Sequence, residues 1–76
     1  MTVYLVVKES LFLPYAGRYV SYGIKAVDVT ENTQIDIVFV SDISMYLEIV
    51  LDIAQRCTLF QLDPIHLMDV IEDSIL

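Results

Sequence analysis

The residues best suited to chemistry lie in the stretch LDPIHLMDVIEDSIL, residues 62–76, which holds the only histidine of the chain. On a helix, His66 lies near Asp69 and Asp73, and neighbouring carboxylates can hold a cation or orient an imidazole. A useful metal site needs three or four converging ligands, and no second histidine or cysteine cluster supplies them. We therefore interpret His66 as part of a helix start behind Asp63, where free N–H groups need partners, and we predict no metal and no cofactor.

The single cysteine, Cys57, falls on the apolar stripe of a predicted helix. Reactive thiols need an exposed, electropositive setting or a helix N-terminus, so we predict a buried structural cysteine. One cysteine also excludes an intramolecular disulfide and every zinc motif with several cysteines. The sequence has no glycine-rich phosphate loop and no visible nucleophile–base pair, so we expect a protein that is not an enzyme.

The charge balance narrows the choice of partner. Eleven acidic side chains face four basic ones, which gives a net charge of −7. Binding to nucleic acid or to an anionic membrane needs clustered cations, and the four cations here are scattered along the chain: Lys8, Arg18, Lys25 and Arg56. We expect no direct binding to either. The N-terminal residues lack the basic start of a signal peptide and no apolar run is long enough to span a membrane, so we expect a cytoplasmic protein.

The apolar content predicts a protein partner. Hydrophobic residues make up 57% of the chain and the mean hydropathy is +0.64. A single domain over residues 1–76 buries only about 60% of its unfolded surface, so its core is small. Surplus apolar surface on a small domain marks a contact with another chain. We therefore expect a homo-oligomer, such as a dimer, or docking on a different protein.

The first half of the chain has the pattern of β-strands. Residues 2–8 are rich in β-branched side chains and 10–13 continue them, while 18–29 and 34–41 alternate between apolar and polar types. Turns are predicted at PYAG and TENT. The pattern predicts a three-stranded antiparallel meander with the second strand in the middle.

The predicted turn centres fix a register for the meander. They place Val7 opposite Ile24 and Ala26 opposite Ile37. One face is then apolar and is expected to carry the core: Val3, Leu5, Val7, Val20, Tyr22, Ile24, Ala26, Ile35, Ile37 and Phe39. The opposite face is mixed and is our first candidate for an interface: Tyr4, Val6, Lys8, Tyr19, Lys25, Val27, Asp36, Val38 and Val40.

The second half has helical spacing. A first helix is predicted from an N-cap at Asp42 or Ser44 to about Cys57. Its stripe is Tyr46, Ile49, Val50, Ile53, Ala54 and Cys57. Asp63 followed by Pro64 indicates the start of a second helix that runs to the end of the chain. That helix is expected to bury Leu67, Met68, Val70, Ile71 and Ile75.

These elements predict an α+β fold of two layers, a βββαα arrangement with both helices on one face of the sheet. The favoured function is a non-enzymatic interaction module that uses the mixed sheet face, an open strand edge or the acidic last helix. The candidate interface residues are Tyr4, Val6, Tyr19, Val27, Val38, Val40, Asp69, Glu72 and Asp73. The alternatives are an acidic inhibitor that mimics nucleic acid, or a small enzyme or metal-binding protein that uses His66.

Three segments carry a resemblance. The runs DPIHLMDVIEDSIL, YGIKAV and SDIS resemble a family of small uncharacterised bacterial proteins with a closing PIHL-x-DV-x-ED helix. The matching segments cover roughly a third of the chain. Such a family has no assigned activity, so the resemblance implies a compact bacterial domain and assigns no functional residue.

Overall fold

The computed structural model describes residues 1–75 and confirms the α+β, βββαα order. The sheet is antiparallel with strand order β1-β2-β3. The elements are β1 (Thr2–Leu13), β2 (Gly17–Val29), β3 (Gln34–Ser44), α1 (Leu47–Leu59), a 3-10 turn (Pro64–His66) and α2 (Leu67–Ile75). The predicted continuation of the last helix to residue 76 lies outside the described residues.

The β1–β2 hairpin is shifted by one residue from the predicted register. Val6, not Val7, lies opposite Ile24, because the loop has three residues and pairs Leu13 with Gly17. The Ala16 amide donates to the Leu13 carbonyl at 3.1 Å, and Gly17 takes a φ of 85°. A turn closed by a glycine in the left-handed region is the usual form of a three-residue hairpin loop. The predicted turn was centred half a residue too late, which moved every β1 side chain to the wrong face.

The β2–β3 hairpin starts in the predicted register and then leaves it. Val29 pairs with Gln34 and Val27 pairs with Asp36, as the predicted turn centre requires. An extra residue, Ile37, shifts the register, so that Ala26 lies opposite Val38. A bulge of this kind adds one residue to one strand and re-aims its side chains. The predicted pairing of Ala26 with Ile37 is therefore wrong.

The core lies between the sheet and the two helices. Central strand β2 contributes Ile24 and Ala26, as predicted, and β1 contributes Tyr4. The helices contribute Val50, Ile53, Ala54, Cys57, Leu67 and Ile71. Several half-buried side chains pack around this cluster: Val6, Tyr22, Val40, Ile43, Leu62 and Val70. The predicted apolar face is thus right for Tyr22, Ile24 and Ala26 of β2 but wrong for Val20, which is 42% exposed. It is also wrong for β1, where Tyr4 and Val6 take the place of Val3, Leu5 and Val7, and for β3, where Ile35, Ile37 and Phe39 are at least 46% exposed.

The helix starts differ in how well the sequence predicts them. Asp63 is the N-cap of the 3-10 turn, and its carboxylate accepts from the Ile65 amide at 3.1 Å. By contrast, β3 continues to Ser44 and α1 starts after Tyr46 without a side-chain cap.

The expected burial of Tyr46, Ile49, Met68 and Ile75 is wrong, since all four are at least 40% exposed. None of the helices in residues 1–75 has the length and apolar run needed to cross a bilayer.

Candidate functional site

The sheet residues predicted for the interface fall mostly on the covered side. Tyr4 is 4% exposed in the core, and its hydroxyl donates to the Leu62 carbonyl at 2.5 Å. Burial, with Cys57 and Asp63 nearby, raises the pKa of Tyr4 to about 12. Val6 and Val40 pack against the same core. The face assignment of these three residues is therefore corrected, because the one-residue shifts turn them towards the helices.

Val38 pairs with Ala26 and lies on the helix side, whereas Val27 lies on the open face of the sheet. Val27 is 1% exposed although it lies outside the core cluster, so neighbouring strand residues cover it. Lys25 lies on this face, where its Nζ forms an ion pair with Asp36 at 3.5 Å. Gly23 lies at the centre of the face, where the side chains of Phe39 and Glu9 approach it closely.

A polar cluster fixes the end of β3, where Ser41 to Ile43 form a second irregularity. Tyr19 donates its hydroxyl to Asp42 at 2.8 Å, and the Glu9 carboxylate accepts from the Asp42 amide and the Ser41 hydroxyl. The nearby hydroxyls of Ser21 and Tyr19 lower the pKa of the Asp42 carboxyl. The hydrogen bond to Asp42 raises the pKa of Tyr19. These bonds hold Asp42 at a φ of 54°, so the cluster is an anchor for the strand end.

The residues singled out for chemistry stay apart. His66 is exposed in the 3-10 turn, and no group of three metal-binding side chains occurs among residues 1–75. Cys57 is a free thiol at 3% exposure, and burial raises its pKa while Arg56 lowers it. The acidic residues of α2 are exposed: Asp69, Glu72 and Asp73.

An accessible apolar region follows β3, the one strand that the helices leave largely uncovered. We call it the β3 surface and define it by five residues: Ile35, Ile37, Val38, Phe39 and Ile65. Their exposed fractions run from 36% for Val38 to 78% for Ile65. Of the residues predicted for the interface, only Val38 belongs to it.

The β3 surface has an open cleft on each side of the strand edge. On the helix side, an open cleft of about 520 Å³ is lined by Ile37, Val38, Asp63, Pro64 and Ile65. On the other side, Phe39 borders a second cleft with Val7, Lys25 and Asp36. A chain that lies along this edge would therefore bury apolar side chains on both faces at once.

The two edges of the sheet differ in their hydrogen bonding. At the β1 edge, the Tyr4 amide donates to the Thr58 hydroxyl at 2.9 Å, and the Gln61 side chain bonds both the amide and the carbonyl of Thr2. Within residues 1–75, no side chain makes such bonds to the backbone of 34–40. Because β3 is the last strand of the sheet, its outward N–H and C=O groups are open to another chain.

The sequence predicts the strand of the β3 surface but not its exposure. The run QIDIVFV has one charge and no proline, which is typical of a strand that pairs readily with another chain. The pattern does not tell which strands the helices cover, and that decides which apolar residues stay exposed. Ile65 carries no strand signal at all and reaches the surface only through the chain turn after Asp63.

Comparison with known proteins gives a single result. A family model described as "Family of unknown function (DUF6514)" matches residues 1–76, the whole chain. Neither a curated protein nor a solved structure matches. The match confirms the expected resemblance to an uncharacterised family.

Proposed function

We propose that this chain, which belongs to the family of unknown function DUF6514, is a small protein-interaction domain that binds through the β3 surface. One observation carries the proposal: an uncovered edge strand with exposed apolar side chains on both of its faces. A contiguous apolar patch on a soluble domain is costly to leave in water and marks an interaction site. A bacterial origin, a cytoplasmic location and the absence of catalysis stay predictions from the sequence.

Strand addition suits the geometry better than docking of one flat face. In strand addition, backbone hydrogen bonds contribute affinity, and pockets beside the edge select side chains. The clefts that flank Ile37 and Phe39 lie where such pockets are needed. The open face of the sheet offers less apolar surface for docking, since Lys25 and Asp36 form an ion pair there and Val27 is already covered.

The experiment compares two matched variants as immobilised bait, with the purified chain itself and a cell lysate as prey. Ile37→Lys places a charge in the β3 surface, whereas Leu59→Lys makes the same change at a residue that is 75% exposed on α1. A lysine on an edge strand blocks pairing, so binding should be lost with Ile37→Lys and kept with Leu59→Lys. Circular dichroism checks that both variants fold.

Two results would contradict the proposal. Equal binding by the wild type and by Ile37→Lys would remove the β3 surface from the account. Binding that disappears at high salt but ignores Ile37→Lys would assign the interaction to the acidic residues of α2, because salt screens exposed charges and leaves apolar contacts intact. The second result would favour the alternative of an inhibitor that mimics nucleic acid.

A further inference from the structure

We infer that the occupant of the β3 surface is a second copy of this chain, paired antiparallel through β3 so that two sheets join into one of six strands. The inference rests on the proposed function and names its partner. The two sheet edges differ in how many of their backbone groups are bonded within the chain. Thr58 and Gln61 bond the backbone of Thr2 and Tyr4 at the start of the β1 edge, whereas no side chain within residues 1–75 bonds the backbone of 34–40 at the β3 edge.

The charge of the strand fits a copy of itself. Among residues 32–41 only Asp36 is charged, and Lys25 pairs with it on the same face. In an antiparallel pair with its two-fold axis at Val38, Asp36 lies opposite Val40, away from the other Asp36. Such a pair opposes no like charges. A strongly charged partner strand gains no attraction along this edge.

The flanking side chains add apolar area to the backbone pairing of such a dimer. Strand pairing by itself covers mainly backbone, whereas standard interfaces bury roughly 1,200–2,000 Å² in total. Seven residues of β3 span about 23 Å of edge. The bulge turns Ile37 towards the cleft that Val38 and Ile65 also line, and Phe39 stays exposed on the other side. In a symmetric pair, each copy contributes this set to the same interface, which doubles the apolar area.

Net charge sets the expected response to salt. Each copy carries −7, so two copies repel each other over long distances, and salt screens this repulsion. The side-chain contacts along the paired edge are apolar, so salt does not weaken them. The dimer should therefore form at least as readily at high salt as at low salt.

Amide hydrogen exchange tests the pairing at the residue level. Alternate backbone amides of an edge strand point outward and exchange freely unless another strand covers them. At high protein concentration, we expect the outward amides of 34–40 in the wild type to exchange at least about ten-fold more slowly than in Ile37→Lys. A second variant, Ile35→Lys, replaces a residue that is 59% exposed and should give the same loss of protection. The amides of α2 should be unchanged in both variants.

Each outcome decides the inference. Protection of 34–40 that both variants lose supports it. Equal exchange of these amides in the wild type and both variants overturns the second copy as occupant. If Ile37→Lys then still abolishes capture of a different protein, the proposed interaction function stands with another partner. If Ile37→Lys changes neither measurement, both the inference and the proposed function fail.

Discussion

The hydroxyl of Tyr4 and the carbonyl of Leu62 are joined by a hydrogen bond of 2.5 Å that connects the first strand to the segment between the two helices. The amide of the same tyrosine donates to Thr58 near the end of α1. One buried residue thus ties both sides of the fold together. Its amide bond also satisfies one outward donor near the start of the β1 edge.

Replacing Tyr4 with phenylalanine should destabilise the protein while keeping its shape. The change removes the donor and leaves the buried Leu62 carbonyl without its partner, a loss that costs about 1–3 kcal/mol. Urea unfolding followed by circular dichroism measures it. Tyr15→Phe is the control, since Tyr15 is 87% exposed and should change the free energy of unfolding very little. Equal effects of the two variants would contradict this role of Tyr4.

The wild type and the Tyr4→Phe variant also give a prediction about pH. The pKa of Tyr4 is about 12 in the folded state against an ordinary 10.0, so the folded state holds the phenolic proton more tightly. Below pH 10 the stabilisation from Tyr4 is fully present, and it is lost as the pH rises towards 12. The difference in unfolding free energy between the wild type and Tyr4→Phe should shrink over that range. A constant difference would mean that the hydroxyl titrates alike in both states.

Thr58→Val tests the covering of the β1 edge. The Tyr4 amide donates a hydrogen bond of 2.9 Å to the Thr58 hydroxyl. Valine keeps the shape of threonine but cannot accept this hydrogen bond. An unpaired N–H at a half-buried site costs about 1–3 kcal/mol, and the Tyr4 amide should exchange faster with solvent. Thr2→Val is the matched control, because the Thr2 hydroxyl makes no hydrogen bond within residues 1–75. An unchanged exchange rate at Tyr4 would argue against an edge closed by Thr58.

Gly23→Ala should be among the most damaging small substitutions. A Cβ at Gly23 would collide with the Val40 carbonyl and lie 3.0 Å from the Phe39 ring. Overpacking against backbone costs about 1–3 kcal/mol. Gly17→Asn is the comparison, since Gly17 has open space and a φ of 85° that asparagine tolerates. Thermal melts should show a clear fall for Gly23→Ala and a small one for Gly17→Asn, and the reverse order would show that β2 and β3 pack differently.

Cys57 should be protected from thiol reagents in the folded protein. It is 3% exposed, and burial raises its pKa, so little reactive thiolate is available. Reaction with a disulfide reagent should speed up at least about 100-fold in denaturant, since each factor of ten corresponds to about 1.4 kcal/mol of opening free energy. Fast labelling of the native protein would contradict the burial of Cys57.

The sequence predicts the order of elements better than it predicts the surface. Alternation, the Asp63–Pro64 start and the turn residues give βββαα because each signal is local. Face assignment depends on registers that a single residue changes. Gly17 closes a three-residue loop and Ile37 adds a bulge, and together they move Tyr4 into the core and Phe39 out of it. Neither shift has a strong local signature, so Val38 alone links the predicted interface to the β3 surface.

The most direct test of binding through the β3 surface is the solution mass by light scattering over a concentration series, at low and at high salt. For the wild type, we predict a mass near twice the 8.7 kDa of one chain, which persists at high salt. Ile37→Lys should give a single-chain mass, and Leu59→Lys should behave like the wild type. A wild-type mass of one chain at every concentration and salt would contradict self-association, and an oligomer that Ile37→Lys leaves intact would contradict the β3 surface as its site.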